Sequence, residues 1–441
     1  MPPLKKALRR RLGMPPKDIP LWWDTLPPRP PAAAHAWRET ADVAIVGAGY
    51  TGLAAARILA RRGATVVVLE AETPGWGASS RNGGMVLTGL KPEIGALLRR
   101  YGLAVARELF ATSLAAIETV AELVTQERID CDFHRPGHLL VAAKASHLAG
   151  LTDHARLLQE HFGHPVRIVP RGELRSELGS DLFHGGLIDP SSAALDPARY
   201  AAGLLKAAEH AGAEVHQHTR VEHIRREGSR FLLDTPRGSL RAAEVLIATN
   251  GYTGAATPAL RRRIIPIGSY IIATEPLDPR LAADLIPHRR MVFDTRHYLH
   301  YFRLSPDRRL LFGGRAAFFP PGPATLARSA AILRRDLVRV FPQLEAAAIE
   351  YAWGGRLGFC FDRLPHFGRL EGLHYALGYA GHGVALATHL GQLAARMLAG
   401  EPITHPLAEL EFPTAPLGLY RGRPWFLPLA GAWYKLLDWI Q

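Results

Sequence analysis

Cysteine is scarce in this sequence of 441 residues, which contains only Cys131 and Cys360. Two cysteines so far apart form neither a disulfide framework nor the closely spaced ligand pairs of a zinc site. We therefore expect no bound structural metal. We also expect the chain to reside in the reducing environment of the cytoplasm.

Long apolar runs are also missing. No stretch reaches the ~18–20 apolar residues that a membrane-spanning helix requires. The basic residues between Lys5 and Arg11 are followed by Gly13, Pro15 and Pro16, where a signal peptide would continue with an apolar segment. We predict that the protein is not exported and does not cross a membrane.

Lysine is rare although the formal net charge is +13, since seven lysines stand against 46 arginines. The basic residues are scattered, with short clusters at residues 8–11 and 261–263 instead of one continuous stripe. We therefore expect no nucleic-acid partner. The positive charge still favours an acidic substrate or an anionic membrane surface.

A strand, a glycine-rich turn, a helix and a second strand are predicted between residues 42 and 70. Residues 42–46 and 65–69 are short β-branched runs that predict buried parallel strands, and residues 53–62 form an alanine-rich helical stretch. The turn after the first strand consists of Gly47, Ala48, Gly49, Tyr50, Thr51 and Gly52. This order of elements is typical of a dinucleotide-binding fold.

Each glycine of the turn has a physical role. Gly47 permits the tight turn, Gly49 lets a pyrophosphate approach the backbone, and Gly52 lets the helix pack closely on the sheet. The helix N-terminus offers free N–H groups and a partial positive charge to the phosphates. Glu70 ends the second strand, where a carboxylate accepts hydrogen bonds from ribose hydroxyls. This spacing alone does not distinguish NAD from FAD.

The segment after the second strand distinguishes the two dinucleotides. Residues 75–85 read GWGASSRNGGM. They resemble the loop that wraps FAD in the D-amino-acid-oxidase-like superfamily of FAD-dependent oxidoreductases. The likeness is closest to the sarcosine and glycine oxidase branch and, within it, to the γ-glutamylputrescine oxidase type. It extends from about residue 42 to about residue 409.

The resemblance implies an α/β fold, in which a Rossmann-type FAD-binding domain is interleaved with an α+β substrate domain built on an antiparallel sheet. The predicted FAD-binding domain comprises residues 38–93, 193–260 and 353–405, and the predicted substrate domain comprises residues 94–192 and 261–352. Residues 1–37 form an N-terminal extension. Residues 406–441 form an aromatic C-terminal segment that we expect to dock on the protein; contact with a membrane surface is the alternative.

The same resemblance implies which residues bind FAD. Ser79 and Ser80 would reach the pyrophosphate, and Val221 would contact the adenine through its backbone. The residues expected along the flavin ring or beneath it are Arg81, Asn82, Gly83, Gly84, Met85, Thr249, Asn250, Gly251, Gly381, His382, Gly383, Val384 and Ala385. Ala71 and Gly77 complete the cofactor set with Glu70 and the glycine turn. We expect FAD to be bound without a covalent link; attachment through Cys360 is the alternative.

Candidates for the catalytic side come from the predicted roof strands, from the Gly-His-Gly turn and from the flavin side, where Arg356 follows residues 353–355. They are His382, Tyr270, Tyr301, Arg303 and Arg356. Strand alternation places Tyr301 and Arg303 on one face and Tyr298 and His300 on the other. Arg303 suits a substrate carboxylate, and a surface ion pair is the competing interpretation.

The resemblance implies oxidation of a small primary or secondary amine or an amino acid. Hydride passes to the flavin, the resulting imine hydrolyses, and oxygen is reduced to hydrogen peroxide. One alternative is a dehydrogenase of the same fold that passes its electrons to a quinone or another acceptor. Another is a flavin-bearing RNA-modifying protein, for which salt-dependent RNA binding is the test.

Overall fold

The structure is a computed structural model that describes residues 15–27, 36–314 and 322–440, with side chains described up to residue 433. The basic segment between Lys5 and Arg11, with the rest of residues 1–14, lies outside the described residues.

The helices are α1 (Leu21–Asp24), α2 (Tyr50–Arg61), α3 (Ala78–Arg81), α4 (Ile94–Gln126), α5 (Ala145–Phe162), α6 (Pro197–His210), α7 (Pro258–Arg261), α8 (Pro279–Leu285), α9 (Pro323–Val340), α10 (Gly383–Leu398), α11 (Pro406–Glu409) and α12 (Leu427–Ile440). Short 3₁₀ turns occur at Arg171–Ser176, Asn250–Tyr252, Pro342–Leu344 and Pro416–Gly418.

The strands are β1 (Thr40–Val46), β2 (Val66–Leu69), β3 (Met85–Val86), β4 (His138–Val141), β5 (Arg167–Pro170), β6 (Gly185–Asp189), β7 (Ala193–Ala194), β8 (Glu214–His216), β9 (His223–Glu227), β10 (Arg230–Thr235), β11 (Gly238–Ile247), β12 (Ile265–Thr274), β13 (Met291–Asp294), β14 (His300–Leu304), β15 (Leu310–Gly314), β16 (Ile349–Phe359), β17 (His366–Leu370) and β18 (Leu373–Leu377).

The first sheet has the strand order β17-β18-β11-β1-β2-β8, and β9 and β10 extend it from β11. β1 runs parallel to β2 and to β11, so that Val46 lies opposite both Leu69 and Ile247. The carboxyl ends of three parallel strands therefore meet at one edge, which is where open α/β sheets bind ligands. All four residues of β2 are buried, as expected for a strand covered on both faces.

The second sheet has the order β16-β12-β15-β14-β13-β4-β6-β5. Its neighbours are antiparallel except β13 and β4, which are parallel. A separate apolar core lies between this sheet and α8 and α9, and it includes Phe302, Phe312 and Phe341. The predicted combination of a Rossmann-type sheet with an antiparallel substrate sheet is confirmed.

Helix α4 connects the two parts of the fold. It begins at Ile94 in the segment assigned from sequence to the substrate domain, and its buried residues join the core formed by α2 and α10 over the first sheet. The helix is kinked at Gly102, where φ is +78°. The predicted domain limit at residue 353 falls within β16, which pairs with β12. The domain limits themselves stay a prediction.

The C-terminal segment packs on the end of the second sheet. Tyr420 and Leu427 are buried with Ile265 and Phe359, and the Tyr420 hydroxyl donates to the carbonyl of Ile264 at 2.7 Å. Within the described part of the chain, no helix combines the length and apolar character needed to cross a membrane.

Candidate active site

A first cavity of about 760 Å³ lies at the carboxyl edge of the parallel strands. Its wall includes the glycine turn, the end of β2, the loop of residues 75–82, the turn after β11 and part of β16. The N-termini of α2 and α10 both open onto it, which directs free backbone N–H groups and two positive dipole ends into the cavity.

The three glycines of the turn stand where a side chain does not fit. Gly47 has φ of +105°, and a Cβ on Gly52 would lie 1.9 Å from the Gly47 carbonyl oxygen. A Cβ on Gly49 would lie 2.9 Å from Ser79 Oγ, which accepts a hydrogen bond from the Tyr50 N–H at 3.1 Å. The turn and the loop therefore close on each other and leave backbone surface facing the cavity.

Glu70 lies at the edge of the first cavity at the end of β2. Its carboxylate accepts hydrogen bonds from the backbone N–H of Ala48 at 2.8 Å and of Glu72 at 2.9 Å. Desolvation raises the pKa of Glu70 above its usual value, although these backbone donors oppose the shift. This half-buried carboxylate has acceptor capacity left for hydroxyl donors of a ligand.

Three tryptophan side chains fix the loop between the two cavities. The Trp22 indole donates to the Asn82 carbonyl at 2.8 Å, and the Trp353 indole donates to the Arg81 carbonyl at 2.9 Å. The Trp23 indole donates to Ser80 Oγ at 2.8 Å. Sequence reasoning missed all three, because the donors are 57 to 272 residues away from the loop. Two adjacent tryptophans at 22 and 23 are the feature of the sequence that could have suggested these contacts.

Arg81 lies within this loop and lines both cavities of the site. Its guanidinium is 4.7 Å from the ring centre of Trp23 and 4.4 Å from that of Trp76. Its Nε donates to the Trp76 carbonyl at 2.8 Å. Desolvation lowers the pKa of Arg81, yet an arginine in this setting keeps its charge at neutral pH.

Arg303 takes neither of the positions that we expected for it. The side chain is buried and lies outside the cavity walls that the described residues form. Its Nη1 donates to the Gly84 carbonyl at 2.6 Å and to the Leu195 carbonyl at 3.1 Å. Burial lowers its pKa to about 10, so it remains a cation. Arg303 therefore ties the second sheet to the predicted flavin loop and is not placed to meet a substrate carboxylate.

A second cavity of about 590 Å³ adjoins the first. The two share a wall that consists of Ala78, Arg81, Asn82, Gly355, Arg356, Leu357, Gly381 and Val384. We call these residues the shared wall. Beyond it the second cavity is bounded by α5, by the β13–β14 connection and by residues 85–93.

Two predicted tyrosines face opposite ways. Tyr301 lines the second cavity, and its hydroxyl lies 3.1 Å from Ser269 Oγ. Its ring covers Gly313, where a Cβ would lie 2.3 Å from the ring. Tyr270 is buried in the apolar core of the second sheet, because it follows Ser269 on β12 and so points to the other face. The expectation that Tyr270 lines the pocket is thus corrected, and Ser269 takes that place.

His382 precedes α10 and lines only the second cavity. Its Nδ1 is buried and has no hydrogen-bond partner among the described residues. Desolvation, with the charges of Lys91 and His138, lowers the pKa of His382 to about 3. The imidazole is therefore neutral at physiological pH.

The second cavity has a predominantly basic wall. Cationic side chains on it are Lys91, Lys144, Arg81, Arg296 and Arg356, and anionic ones are Glu93 and Asp294. The histidines on the wall are His138, His147, His154, His297 and His382. Such a wall favours a ligand that carries a carboxylate or another anion.

The β13–β14 connection carries several of these residues and is held by an acid–histidine network. Asp294 accepts hydrogen bonds from Arg296 Nη1 at 2.7 Å and from His300 Nδ1, which lies 3.0 Å away. His300 Nε2 lies 3.3 Å from Asp336. Burial alone would lower the pKa of His300, but the two aspartates raise it to about 9. His300 is thus a cation that orients this connection.

The remaining predicted cofactor residues fall into three groups. Those on the first cavity wall are Gly47, Gly49, Tyr50, Thr51, Glu70, Ala71, Gly77, Ser79, Val221, Thr249, Asn250 and Gly383, and Gly83 and Met85 lie on the second. Those beneath the walls are Ala48, Gly52, Ser80, Gly84, Gly251 and Ala385. Ser80, for example, donates to the Gly75 carbonyl at 2.7 Å.

Cys360 is buried and lies outside both cavity walls among the described residues. Desolvation, together with Asp362, raises the pKa of its thiol well above the usual value. Cys360, Asp362 and His366 are close enough to form a three-ligand group. Asp362 is already paired with His366 Nε2 at 2.9 Å, and it also accepts from the Leu364 N–H.

The residues of the first cavity fit a dinucleotide such as FAD. The glycine turn leaves open the space that side chains would fill, Glu70 supplies a carboxylate, and two helix N-termini supply N–H donors. The shared wall lets an extended ligand in the first cavity reach the second.

Comparisons with known proteins agree with this geometry. The family model described as FAD dependent oxidoreductase (DAO) matches residues 42–397. The chain is 36% identical over 365 residues to gamma-glutamylputrescine oxidoreductase of Escherichia coli, with 82% of this chain and 84% of the relative covered. It is 35% identical over 421 residues to the probable oxidoreductase OrdL of Rhizobium meliloti, with 95% and 97% covered.

Among solved structures, glycine oxidase from Geobacillus kaustophilus superposes with a TM-score of 0.70 at 24% identity, covering 85% of this chain and 99% of that one. This likeness is one of fold.

Proposed function

Because the chain belongs to the DAO family of FAD-dependent oxidoreductases and takes FAD as its cofactor, we propose that it oxidises a small amine or amino acid. The substrate would occupy the second cavity. The observation that carries this proposal is the shared wall, since a cavity large enough for a small molecule meets the cofactor cavity along eight residues.

FAD would be held by the glycine turn, Glu70 and the loop that contains Arg81 and Asn82. When bound, FAD supplies a two-electron acceptor for the hydride that leaves the carbon next to the substrate nitrogen. The chain's own residues then have to hold the amine, orient it and keep water away from the reacting atoms.

His382 and Tyr301 are our candidates for orienting the amine. A substrate nitrogen must be neutral to form an imine, and the neutral imidazole of His382 places no positive charge beside it. The Tyr301 hydroxyl lies 3.1 Å from Ser269 Oγ on the wall of the second cavity, and a phenol can both donate and accept hydrogen bonds. Arg356 on the shared wall is our candidate for balancing negative charge that develops during reduction.

The basic wall supports a substrate with a carboxylate at a distance from its reacting amine. Lys144 and His147 lie at the α5 side of the cavity, away from the shared wall. The relative from Escherichia coli is named for γ-glutamylputrescine, which has an amine at one end and a carboxylate at the other. We propose that this chain takes an amine of this general class.

The acceptor for the second half of the reaction is proposed to be oxygen, with hydrogen peroxide as product. The alternative is a dehydrogenase that delivers its electrons to a quinone or another carrier. Both share the first half-reaction, and only measurement of the second separates them.

The test is a spectrum of the purified protein, followed by anaerobic addition of γ-glutamylputrescine, putrescine, glycine and sarcosine in turn. We expect the flavin absorbance to bleach with one of these amines. Admission of air should restore the colour and produce one peroxide for each amine oxidised.

Bleaching without recovery in air, but with recovery on addition of a soluble quinone, would establish the dehydrogenase. A protein that takes up FAD but is not bleached by any amine would contradict the proposed substrate class.

A further inference from the structure

Exposed apolar side chains are concentrated in one part of the molecule. Six large apolar side chains are exposed in the part of the chain whose side chains are described, and five of them lie between residues 417 and 433. They are Leu417, Leu419, Trp425, Leu429 and Trp433, which are between 58% and 94% exposed. We call these five residues the C-terminal surface. Such a concentration marks an interaction site more often than chance exposure.

The segment that carries this surface is fixed to the protein. Tyr420 is buried and donates to the carbonyl of Ile264 at 2.7 Å. Leu427 is buried at the start of α12, and the Tyr298 hydroxyl donates to the Gly431 carbonyl at 3.1 Å. These contacts anchor the segment to the protein. Its remaining large apolar side chains point outward and are not required for that anchoring.

Charge around the C-terminal surface has one sign. No aspartate or glutamate occurs between residues 412 and 433, whereas Arg421 and Arg423 are both present and exposed. Arg261 of α7 lies against this segment, since a Cβ on Gly422 would be 2.5 Å from its Nε. The whole chain carries a formal charge of +13. A partner that complements this segment offers both apolar and anionic groups.

We propose that the C-terminal surface binds the surface of an anionic lipid bilayer. Leucine and tryptophan side chains enter the boundary between headgroups and acyl chains, and tryptophan is enriched at that depth. Arginines beside them are attracted by anionic headgroups. The occupant is a membrane surface rather than a second copy of this chain, because a twofold contact would bring Arg421 and Arg423 of both copies together.

The experiment is co-sedimentation of the FAD-bound protein with vesicles. One set contains equal parts of phosphatidylglycerol and phosphatidylcholine, and the other contains phosphatidylcholine alone. We expect binding to the first set and much weaker binding to the second. The double variant Leu429→Ser/Trp433→Ser should lower affinity for the anionic vesicles at least ~10-fold, because it removes apolar surface that enters the bilayer.

Charge is tested separately. Arg421→Gln/Arg423→Gln should weaken binding to anionic vesicles ~25-fold, since each arginine near such a surface contributes about fivefold. Arg156→Gln/Arg175→Gln removes two exposed arginines elsewhere and is the matched control. Leu103→Ser removes the exposed leucine outside the surface and is the control for the apolar variant. The flavin spectrum checks that each variant is folded.

Absence of wild-type binding to anionic vesicles would overturn the proposal. So would binding that the apolar double variant leaves unchanged, because the attraction would then be nonspecific charge. The last measurement is the oligomeric state of the protein without vesicles, determined by light scattering. Dimers that the apolar variant converts to monomers, without vesicle binding, would make a second copy the occupant.

Discussion

Among the described residues, glycines are more frequent on the wall of the first cavity, whereas basic side chains and histidines are more frequent on the wall of the second. Nine glycines stand on the wall of the first cavity and four on that of the second. The second has five histidines on its wall, together with Lys91, Lys144 and Arg296. A wall rich in glycine suits a ligand that stays the same, such as the cofactor. The specificity of a wall made of side chains can be altered by single substitutions.

The largest effect should come from adding a side chain to the glycine turn. Gly52→Ala would place a methyl 1.9 Å from the Gly47 carbonyl oxygen. The helix must then move away from the turn, at a cost on the order of 3 kcal/mol. We expect FAD affinity to fall roughly 100-fold or more, measured by fluorescence titration of the apoprotein. Gly172→Ala, which meets no atom within 4 Å, is the control and should bind FAD normally.

A substitution of Arg303 tests whether the second sheet stabilises the loop on the wall of the FAD cavity. Arg303→Met leaves the buried carbonyl of Leu195 without its donor. The Gly84 carbonyl loses one of two donors and keeps the Leu195 N–H at 2.9 Å. We expect a loss of about 2–3 kcal/mol in the free energy of unfolding, measured in denaturant, with weaker FAD retention. Arg156→Met, an exposed arginine, should change neither. An increased KM in a variant of normal stability would instead support a role in substrate binding.

The third prediction addresses the second cavity alone. His382→Asn should slow substrate-dependent flavin reduction ~10–100-fold, measured by anaerobic stopped flow, while FAD affinity stays normal because His382 lines only the second cavity. The pKa of about 3 predicts no pH break from His382 in the physiological range. His389→Asn, within α10 and outside both walls as described, is the matched control. Equal slowing in both variants would contradict the assignment.

These contrasts follow what the sequence could and could not predict. Residues 47–52 could be assigned because a glycine turn between a buried strand and a helix is a local pattern with few physical explanations. Glu70 follows from its place at the end of β2. The prediction of the fold class rested on these local patterns together with the family likeness, and the two sheets of the structure confirm it.

Contacts between distant segments were beyond sequence reasoning. Nothing near Arg303 indicates that carbonyls of Gly84 and Leu195 will surround it. Tyr270 was predicted from its place on a roof strand. Most residues of β12 are buried, so strand alternation alone could not tell which face opens onto the cavity. The indole donors of Trp22 and Trp353 are likewise visible only in three dimensions.

A smaller effect is expected from pH. His300 is held charged by Asp294 and Asp336, which raise its pKa to about 9. Because the folded pKa exceeds the unfolded value near 6.5, the stabilisation is complete below about pH 6.5 and is lost as pH rises through about 9. We expect on the order of 1–2 kcal/mol.

Denaturant unfolding of the wild type and of His300→Gln at about pH 6 and about pH 10 measures this effect. The difference between the two proteins should shrink at the higher pH, and Asp336→Asn should weaken the dependence. A difference that does not change with pH would mean that His300 is uncharged in the folded protein.

The smallest effect should come from Cys360. Since the thiol is buried outside both walls as described, we predict that acid precipitation releases the flavin from the wild type and from Cys360→Ala alike. Flavin absorbance in the supernatant and in the pellet gives the answer. Colour that stays with the wild-type pellet but not with the variant would establish a covalent link.

The shared wall has a consequence for how this enzyme could acquire new substrates. A substitution at Arg81, Asn82 or Leu357 alters two ligand equilibria at once, so selection for a new substrate there also acts on retention of the cofactor. Helix α5 contributes His147, Leu151 and His154 to the second cavity and nothing to the first. Substitutions in that helix can therefore change the substrate range without altering FAD binding. Helix α5 is the part of the site where new specificity can evolve most readily.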